Sequence, residues 1–266
     1  GAIASEFDLG SDDPLPTWVG EIGWILRSLT SWCDSAASRC GRTPLPFEDA
    51  FFALAKDAST RAHLEADETL AASAVAGLQQ LLLWRVTRLF SRSLMEGFAL
   101  FREFQKDGRG EKNQPDFVYQ QYVTKLREGE ILQALVNRPV LLRLLSLAVI
   151  EWIDAVVELV RRFRSDRRAL CDLFHGGRPL GSIVNIEGGF SDRHCGREVL
   201  RISFSSGQQL AYKPKDLSVD VALGGLLNWL WENRAPSTFE VPLTLACGPY
   251  GWASWIRPKP CTSPLE

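Results

Sequence analysis

One lysine and one polar loop are the parts of this sequence best suited to chemistry. Lys213 follows a short β-patterned run, residues 209–212, which comes after a turn at Ser205-Ser206-Gly207. The loop, residues 188–196, is rich in Gly, Ser and Asp and separates two further β-patterned runs, residues 182–187 and 198–204. Backbone N–H groups of such a loop can surround phosphates, and an ammonium can neutralise them. The arrangement therefore predicts a site for nucleotide phosphates, like that of a kinase-like small lobe.

Seven residues are candidates for this site, and Lys213 is the predicted catalytic residue. Phosphate or ATP contacts are expected from Ser191, Asp192, Arg193, His194, Gly196, Arg197 and Lys213. Some of them have a second interpretation. Asp192 can shape the loop by accepting backbone N–H groups, His194 can brace it, and Arg197 can pair with Asp192 instead of phosphate. Lys213 by itself can also be a surface lysine of an edge strand.

The same residues form a pattern that is known from one family. The chain reads DRHCGREV at 192–199, FSSG at 204–207 and AYKPK at 211–215. This combination resembles the dehydratase domain of class II lanthipeptide synthetases, the LanM type, whose pattern is D-x-H-x-x-G-R-x-V, F-x-x-G and V-Y-K-P-R. Ala211 stands where that pattern has Val, and Lys215 where it has Arg, so the forked donor geometry of Arg is missing there. The resemblance extends back to Phe117 and forward to Cys261.

The resemblance implies an activity and its cofactors. Such an enzyme uses ATP and Mg²⁺ to phosphorylate Ser and Thr of a ribosomal precursor peptide, made of a leader and a core. It then eliminates phosphate to give dehydroalanine and dehydrobutyrine for lanthionine formation. Zinc is expected only in a cyclase domain that this sequence does not contain. Two other functions stay open: a phosphotransferase lobe acting on a lipid or small molecule, and a non-catalytic peptide-binding module.

The expected fold is α+β, with a large helical region before a small antiparallel β-lobe that holds one helix, as in a lipid-kinase-like N-lobe. We expect a tail at residues 1–15, the helical region at 16–176 and the lobe at 177–266. The chain begins at Gly1, its only methionine is Met95, and it stops soon after the expected link between two lobes. These features predict a piece of a larger protein that is inactive by itself, because the catalytic Asp and metal ligands of kinase-like enzymes follow that link.

Composition limits the partners. The formal net charge is −2, which predicts no nucleic-acid partner. Six cysteines occur without a C-x-x-C pair or a secretory leader, which indicates reduced thiols, a cytoplasmic protein and no metal site in this segment. The most apolar helix, from Pro139, is interrupted by charges at 143, 151, 154 and 158, so it is predicted to be a buried helix with one wet edge and not a membrane span.

Periodicity gives the remaining elements. Residues 16–104 are predicted helical, 107–115 a loop, 116–135 a helix, and the helix from Pro139 is expected to close in the arginine-rich stretch 161–168. After Lys215, Ser218 or Asp216 is expected to cap a helix that reaches about residue 233, and its apolar positions are Val221, Leu223, Leu226, Leu227 and Leu230. The acids of this helix are Asp220 and Glu232, so no mid-helix partner for Lys213 is expected. Two strands at 239–245 and 251–256 and an extended linker at 257–260 complete the prediction.

Overall fold

The computed structural model describes residues 15–34, 46–66, 70–106, 115–234 and 241–257. The predicted α+β class is confirmed, because a mostly helical chain carries one small antiparallel sheet with a helix inserted in it. The predicted tail at 1–15 lies outside the described residues except for Leu15. The same holds for residues 107–114 of the predicted loop, for 239–240 of the fourth predicted strand and for 258–260 of the predicted linker.

Within the ranges that the structure describes, six α-helices precede a sheet of five strands. They are α1 (Thr17–Asp34), α2 (Phe52–Ala66), α3 (Ala72–Lys106), α4 (Pro115–Lys125), α5 (Ile131–Val136) and α6 (Pro139–His175). A 3₁₀ turn, Glu48–Phe51, leads into α2, and a π-helical segment, Leu126–Glu130, joins α4 to α5. The predicted continuous helix at 116–135 is thus interrupted, because Gly129 adopts a φ of 110°, which a helix does not permit. The arginine-rich stretch does not close α6 either, since the helix continues to His175.

Five strands form one antiparallel sheet in the order β1-β2-β3-β5-β4. They are β1 (Ile183–Glu187), β2 (Leu200–Phe204), β3 (Gln209–Lys213), β4 (Thr244–Ala246) and β5 (Gly251–Ser254). Helix α7 (Ser218–Glu232) connects β3 to β4. Ser218 or Asp216 was predicted as its cap, but the N-cap residue is Leu217, which makes no side-chain capping hydrogen bond; Asp216 accepts the N–H of Ser218 at 2.8 Å in the turn before the helix.

The described residues divide into two compact units, one drawn from 1–57 and 83–150 and the other from 58–82 and 151–266. The predicted boundary at 176 separates helices from strands, but it does not separate these units. The second unit includes the later half of α6 and the helical residues 58–82 together with the sheet. Apolar burial explains this division, since Phe163 of α6 packs its ring 5.5 Å from that of Phe204 in β2.

The first unit is a helical core that contains a cavity. Phe51 of the 3₁₀ turn packs 5.1 Å from Phe90 of α3, and both rings are buried. A cavity of about 260 Å³ lies in this unit, and its lining includes Leu94, Phe101, Tyr122, Leu126, Ile131 and Leu135. Burial, together with the nearby charge of Glu130, raises the pKa of Tyr122. Among the described residues, none of the helices combines the length and apolar character needed to cross a bilayer.

The sheet of the second unit has two chemically different faces, because alternate residues of a strand point to opposite sides. The helix face consists of Ile202, Phe204, Leu210, Tyr212 and Trp252, all of which are buried. The lysine face consists of Arg201, Ala211, Lys213, Gly251 and Ala253. Cross-strand register supports both sets, since Leu200, Tyr212 and Trp252 lie opposite one another, as do Arg201, Ala211 and Ala253.

Helix α7 differs from the other helices in its burial. Its predicted apolar positions, Val221, Leu223, Leu226, Leu227 and Leu230, were expected to face a core, but of its residues only Gly224 is buried. Leu223 and Leu226 are each 53% exposed, and Trp229 is 57% exposed. Large apolar side chains exposed together mark an interaction surface.

Candidate functional site

Lys213 lies at the end of β3, as predicted, and has an acidic partner. Its Nζ is 3.3 Å from Oδ1 of Asp220, in the first turn of α7, and the Lys213 side chain is 27% exposed. Lys215 approaches the other oxygen of the same carboxylate at 3.8 Å and is more exposed, at 63%. The sequence predicted no mid-helix partner for Lys213, and the carboxylate that pairs with it comes from the first turn of α7.

Small residues surround Lys213 on the lysine face. Gly251 of β5 lies directly opposite Lys213, and Ala211 lies opposite Ala253. The buried side chain of Leu217, which precedes α7, fills the space where a Cβ of residue 251 would be. Leu217 therefore covers the backbone of Gly251, and this close packing requires a glycine there.

The loop between β1 and β2 ends in a tight turn. His194 and Arg197 exchange two backbone hydrogen bonds, of 2.9 and 3.0 Å. Cys195 and Gly196 between them both have positive φ, 48° and 77°, the combination found in type I′ turns. A Cβ on Gly196 would also collide with the backbone carbonyl of Glu151 in α6. Gly196 is therefore required both by the turn and by the close approach to α6.

A buried carboxylate closes the base of the loop. Glu198 is 7% exposed, and its Oε2 accepts the N–H of Gly189 at 2.6 Å. Its Oε1 pairs with Nε of Arg193 at 2.7 Å. Ser191 adds to this order, because its hydroxyl oxygen accepts the N–H of Val199 at 3.0 Å. Two of the predicted phosphate ligands, Ser191 and Arg193, thus maintain the loop in this structure.

The remaining loop residues separate into paired and exposed ones. Nε of Arg197 donates to Oε2 of Glu158 in α6, not to Asp192, and this hydrogen bond is the main reason the pKa of Arg197 is raised. The side chains of Asp192 and His194 are exposed, and the described part of the chain gives neither a side-chain hydrogen bond or ion pair. These two residues therefore remain accessible to a ligand.

An aromatic cluster occupies the lysine face near the loop. Phe190 and Trp255 pack edge to face with ring centroids 4.8 Å apart. The guanidinium of Arg201 lies 5.1 Å from the Trp255 ring and is held by Glu187 of β1 through a 2.7 Å contact from Nε. The indole N–H of Trp255 is buried and has no hydrogen-bond partner among the described residues. The cluster offers aromatic surface, a cation and one unpaired donor.

The structure thus brings the predicted loop and Lys213 to the same end of the sheet, because Leu200 at the loop end pairs with Tyr212, next to Lys213. Sequence reasoning missed Glu158, Glu198, Phe190 and Trp255. Glu198 had a detectable signal, an acid directly after the Arg of the motif. The others depend on contacts between residues far apart in the chain.

The resemblance also implies Mg²⁺. The described residues contain no group of three or more His, Cys, Asp or Glu side chains that could hold a metal ion. Mg²⁺ usually binds through one or two carboxylates together with substrate phosphates. The described side chains alone therefore do not fit a resident magnesium site.

Comparison with protein families gives a match to the later part of the chain. A family model described as a domain of unknown function, DUF4135, matches residues 139–266. That domain is known in lanthionine synthetase-like proteins. The matched range begins with α6 and includes the whole sheet and α7. No curated protein matches the chain.

Proposed function

We propose that the lysine face binds ATP and that this chain contributes the nucleotide-binding lobe of a Ser/Thr dehydratase of the lanthipeptide synthetase type. The observation that carries the proposal is the position of Lys213. It lies at the end of the third strand, at the loop end of the sheet, and pairs with a carboxylate of the helix that follows. Kinase-like lobes use a lysine on the third strand, a helix carboxylate and a glycine-bearing loop to hold phosphates.

The charges around Lys213 support the proposal that the lysine face binds ATP. Lys213 is partly exposed and shares Asp220 with Lys215, so two ammonium groups face one carboxylate and leave a local positive charge for phosphate. The rings of Phe190 and Trp255 supply aromatic surface at the same face, which suits a purine base. In the proposed enzyme, Lys213 would neutralise charge on the phosphates while Ser or Thr of a precursor peptide is phosphorylated.

Phosphoryl transfer also needs groups that this face does not supply. In kinase-like enzymes a second lobe provides the catalytic base and the metal ligands. The exposed apolar residues of α7, next to Asp220, are a surface that such a lobe would cover. Mg²⁺ would supply charge neutralisation at the phosphates, and its ligands would come from such a lobe and not from the described side chains.

The proposal is tested by titrating the chain with a fluorescent ATP analogue in the presence of Mg²⁺. Lys213→Met should weaken binding by about tenfold or more, as for the loss of one preorganised charge contact. Lys125→Met is the control, because this lysine pairs with Glu130 at 3.5 Å in the first unit and takes no part in the proposed site; the variant should bind as the wild type does. Circular dichroism melting should show that both variants are folded.

Equal binding by the wild type and Lys213→Met would contradict the proposal. Absence of binding by the wild-type chain would also contradict it, and would favour the peptide-binding module if a precursor peptide still bound. In an enzyme that phosphorylates its precursor, the same lysine variant should slow phosphorylation by about a hundredfold.

A further inference from the structure

Three charged side chains of α6 form a stripe that contacts the sheet. Glu158, Arg162 and Asp166 are spaced by four residues, so they lie on one face of the helix. Each contacts a different part of the second unit. Glu158 was predicted to belong to a wet edge of α6, but it is only 26% exposed and carries two arginine contacts.

The first contact of this stripe reaches the loop. Oε2 of Glu158 accepts from Nε of Arg197, the arginine that directly follows the Cys195-Gly196 turn. The turn itself lies against α6, since a Cβ on Gly196 would meet the carbonyl of Glu151. Glu158 therefore fixes the tip of the loop, while Glu198 fixes its base.

The second contact reaches the strand that carries Lys213. Oε1 of Glu158 pairs with Arg162, whose Nη1 donates to the hydroxyl of Tyr212 at 2.5 Å. Tyr212 directly precedes Lys213 and is 3% exposed. Arg162 also lies 4.1 Å from the centre of the Tyr250 ring, in the connection between β4 and β5. One carboxylate thus links the loop to the lysine strand through two arginines.

From this geometry we infer that Glu158 is a positioning residue for the proposed nucleotide site, acting through Arg197 on the loop of residues 188–199. The inference rests on the proposed function. A loop that binds phosphate through backbone N–H groups must be held in its binding conformation before the ligand arrives, because ordering it afterwards weakens binding. Glu158 does not need to touch ATP to affect its affinity. This assigns Arg197 a role in holding the loop in addition to any contact with phosphate.

The test uses the whole chain and measures two quantities, the affinity for a fluorescent ATP analogue with Mg²⁺ and the hydrogen exchange of residues 188–199. Glu158→Gln keeps the size of the side chain but removes its charge. It should weaken binding of the ATP analogue by roughly tenfold, which is the size of effect measured for residues that are in contact and energetically coupled. It should also increase hydrogen exchange in the loop. Arg197→Gln should have the same effect, and Arg197→Lys should recover part of the affinity.

A double variant and a control make the result specific. Glu158→Gln combined with Arg197→Gln should bind no more weakly than the weaker single variant, because both changes remove one contact. Asp154→Asn, one turn earlier on α6 and exposed, should leave both quantities unchanged. Arg197 is 38% exposed, so its variants remain informative if Glu158→Gln fails to fold.

The outcomes separate this inference from the proposed function. If the wild type binds ATP and the two single variants bind equally well with unchanged loop exchange, only the positioning role is overturned. Additive losses in the double variant would overturn it as well. If the wild type does not bind ATP, the proposed function fails, and the inference fails with it.

Discussion

The helix face of the sheet buries aromatic rings against α6, whereas the lysine face carries charges, small residues and a partly exposed aromatic pair. On the helix face, Trp252 is fully buried and its indole N–H donates to Asp166 at 2.8 Å. On the lysine face, the indole N–H of Trp255 has no partner among the described residues. Among the described residues, the indole N–H of Trp252 is thus hydrogen-bonded, whereas that of Trp255 is not.

This difference indicates a division of roles. The helix face contributes stability, because its rings are removed from water and its polar atoms are paired. The lysine face carries a partly exposed ammonium, that of Lys213, and partly exposed aromatic surface, which is what a binding site requires. The charged stripe of α6 links the two faces. It contacts the helix face, and it also holds the loop that lies at the same end of the sheet as Lys213.

The largest expected effect is a difference in stability between variants of Trp252 and variants of Trp255. Trp252→Ala should reduce the free energy of unfolding by about 3–5 kcal/mol, because it leaves a cavity against Phe163 and removes one hydrogen bond from Asp166. Trp255→Ala should cost about 1 kcal/mol, since part of that ring is already in contact with water. Urea unfolding of both variants measures the difference. Equal losses would contradict the division of the sheet into two faces.

A smaller effect should appear at high pH. Burial raises the pKa of Cys247 from its ordinary value of 9.0 to about 11, and the nearby charge of Asp166 adds to the shift. Burial and a hydrogen bond with Asp166 also raise the pKa of Tyr250. Because the folded state holds these protons more tightly than the unfolded state, the contribution of Cys247 to stability is complete below pH 9.0 and is lost as the pH rises through about 11, while that of Tyr250 is complete below its ordinary pKa of 10.0 and is lost at higher pH.

Urea unfolding at a series of pH values checks this prediction. The free energy of unfolding should fall with increasing slope above pH 9.0, and Cys247→Ala should flatten part of that fall. Cys195→Ala is the control, because Cys195 is exposed at the tip of the loop, and its slope should match the wild type. A slope unaffected by Cys247→Ala would show that the thiol is not buried against Asp166.

Local sequence patterns predicted the strands around Lys213 well. Alternation of apolar residues and the Ser205-Ser206-Gly207 turn located β2 and β3, and the lysine ended β3 as expected. These features depend on neighbours within a few residues, which a sequence displays directly. The predicted fourth strand at 239–245 was displaced, since β4 is Thr244–Ala246.

Long-range contacts and exposure were less predictable. Glu158 and Arg197 are 39 residues apart, and nothing in the spacing of either indicates the other. The apolar stripe of α7 predicted burial, but periodicity shows only which side chains share a face and not what covers them. The break at Gly129 was missed because a single glycine is tolerated in many helices.

The most direct test of the account is chemical modification of Lys213 with and without ATP. The chain is treated with an acetylating reagent, and acetylation of each lysine is followed by mass spectrometry. With saturating ATP and Mg²⁺, acetylation of Lys213 should slow by about tenfold, because the phosphates occupy its ammonium. Lys125, which pairs with Glu130 at 3.5 Å in the helical unit, should react at the same rate in both conditions. Acetylation of Lys213 at the same rate with and without ATP would contradict the assignment of the lysine face as a nucleotide site.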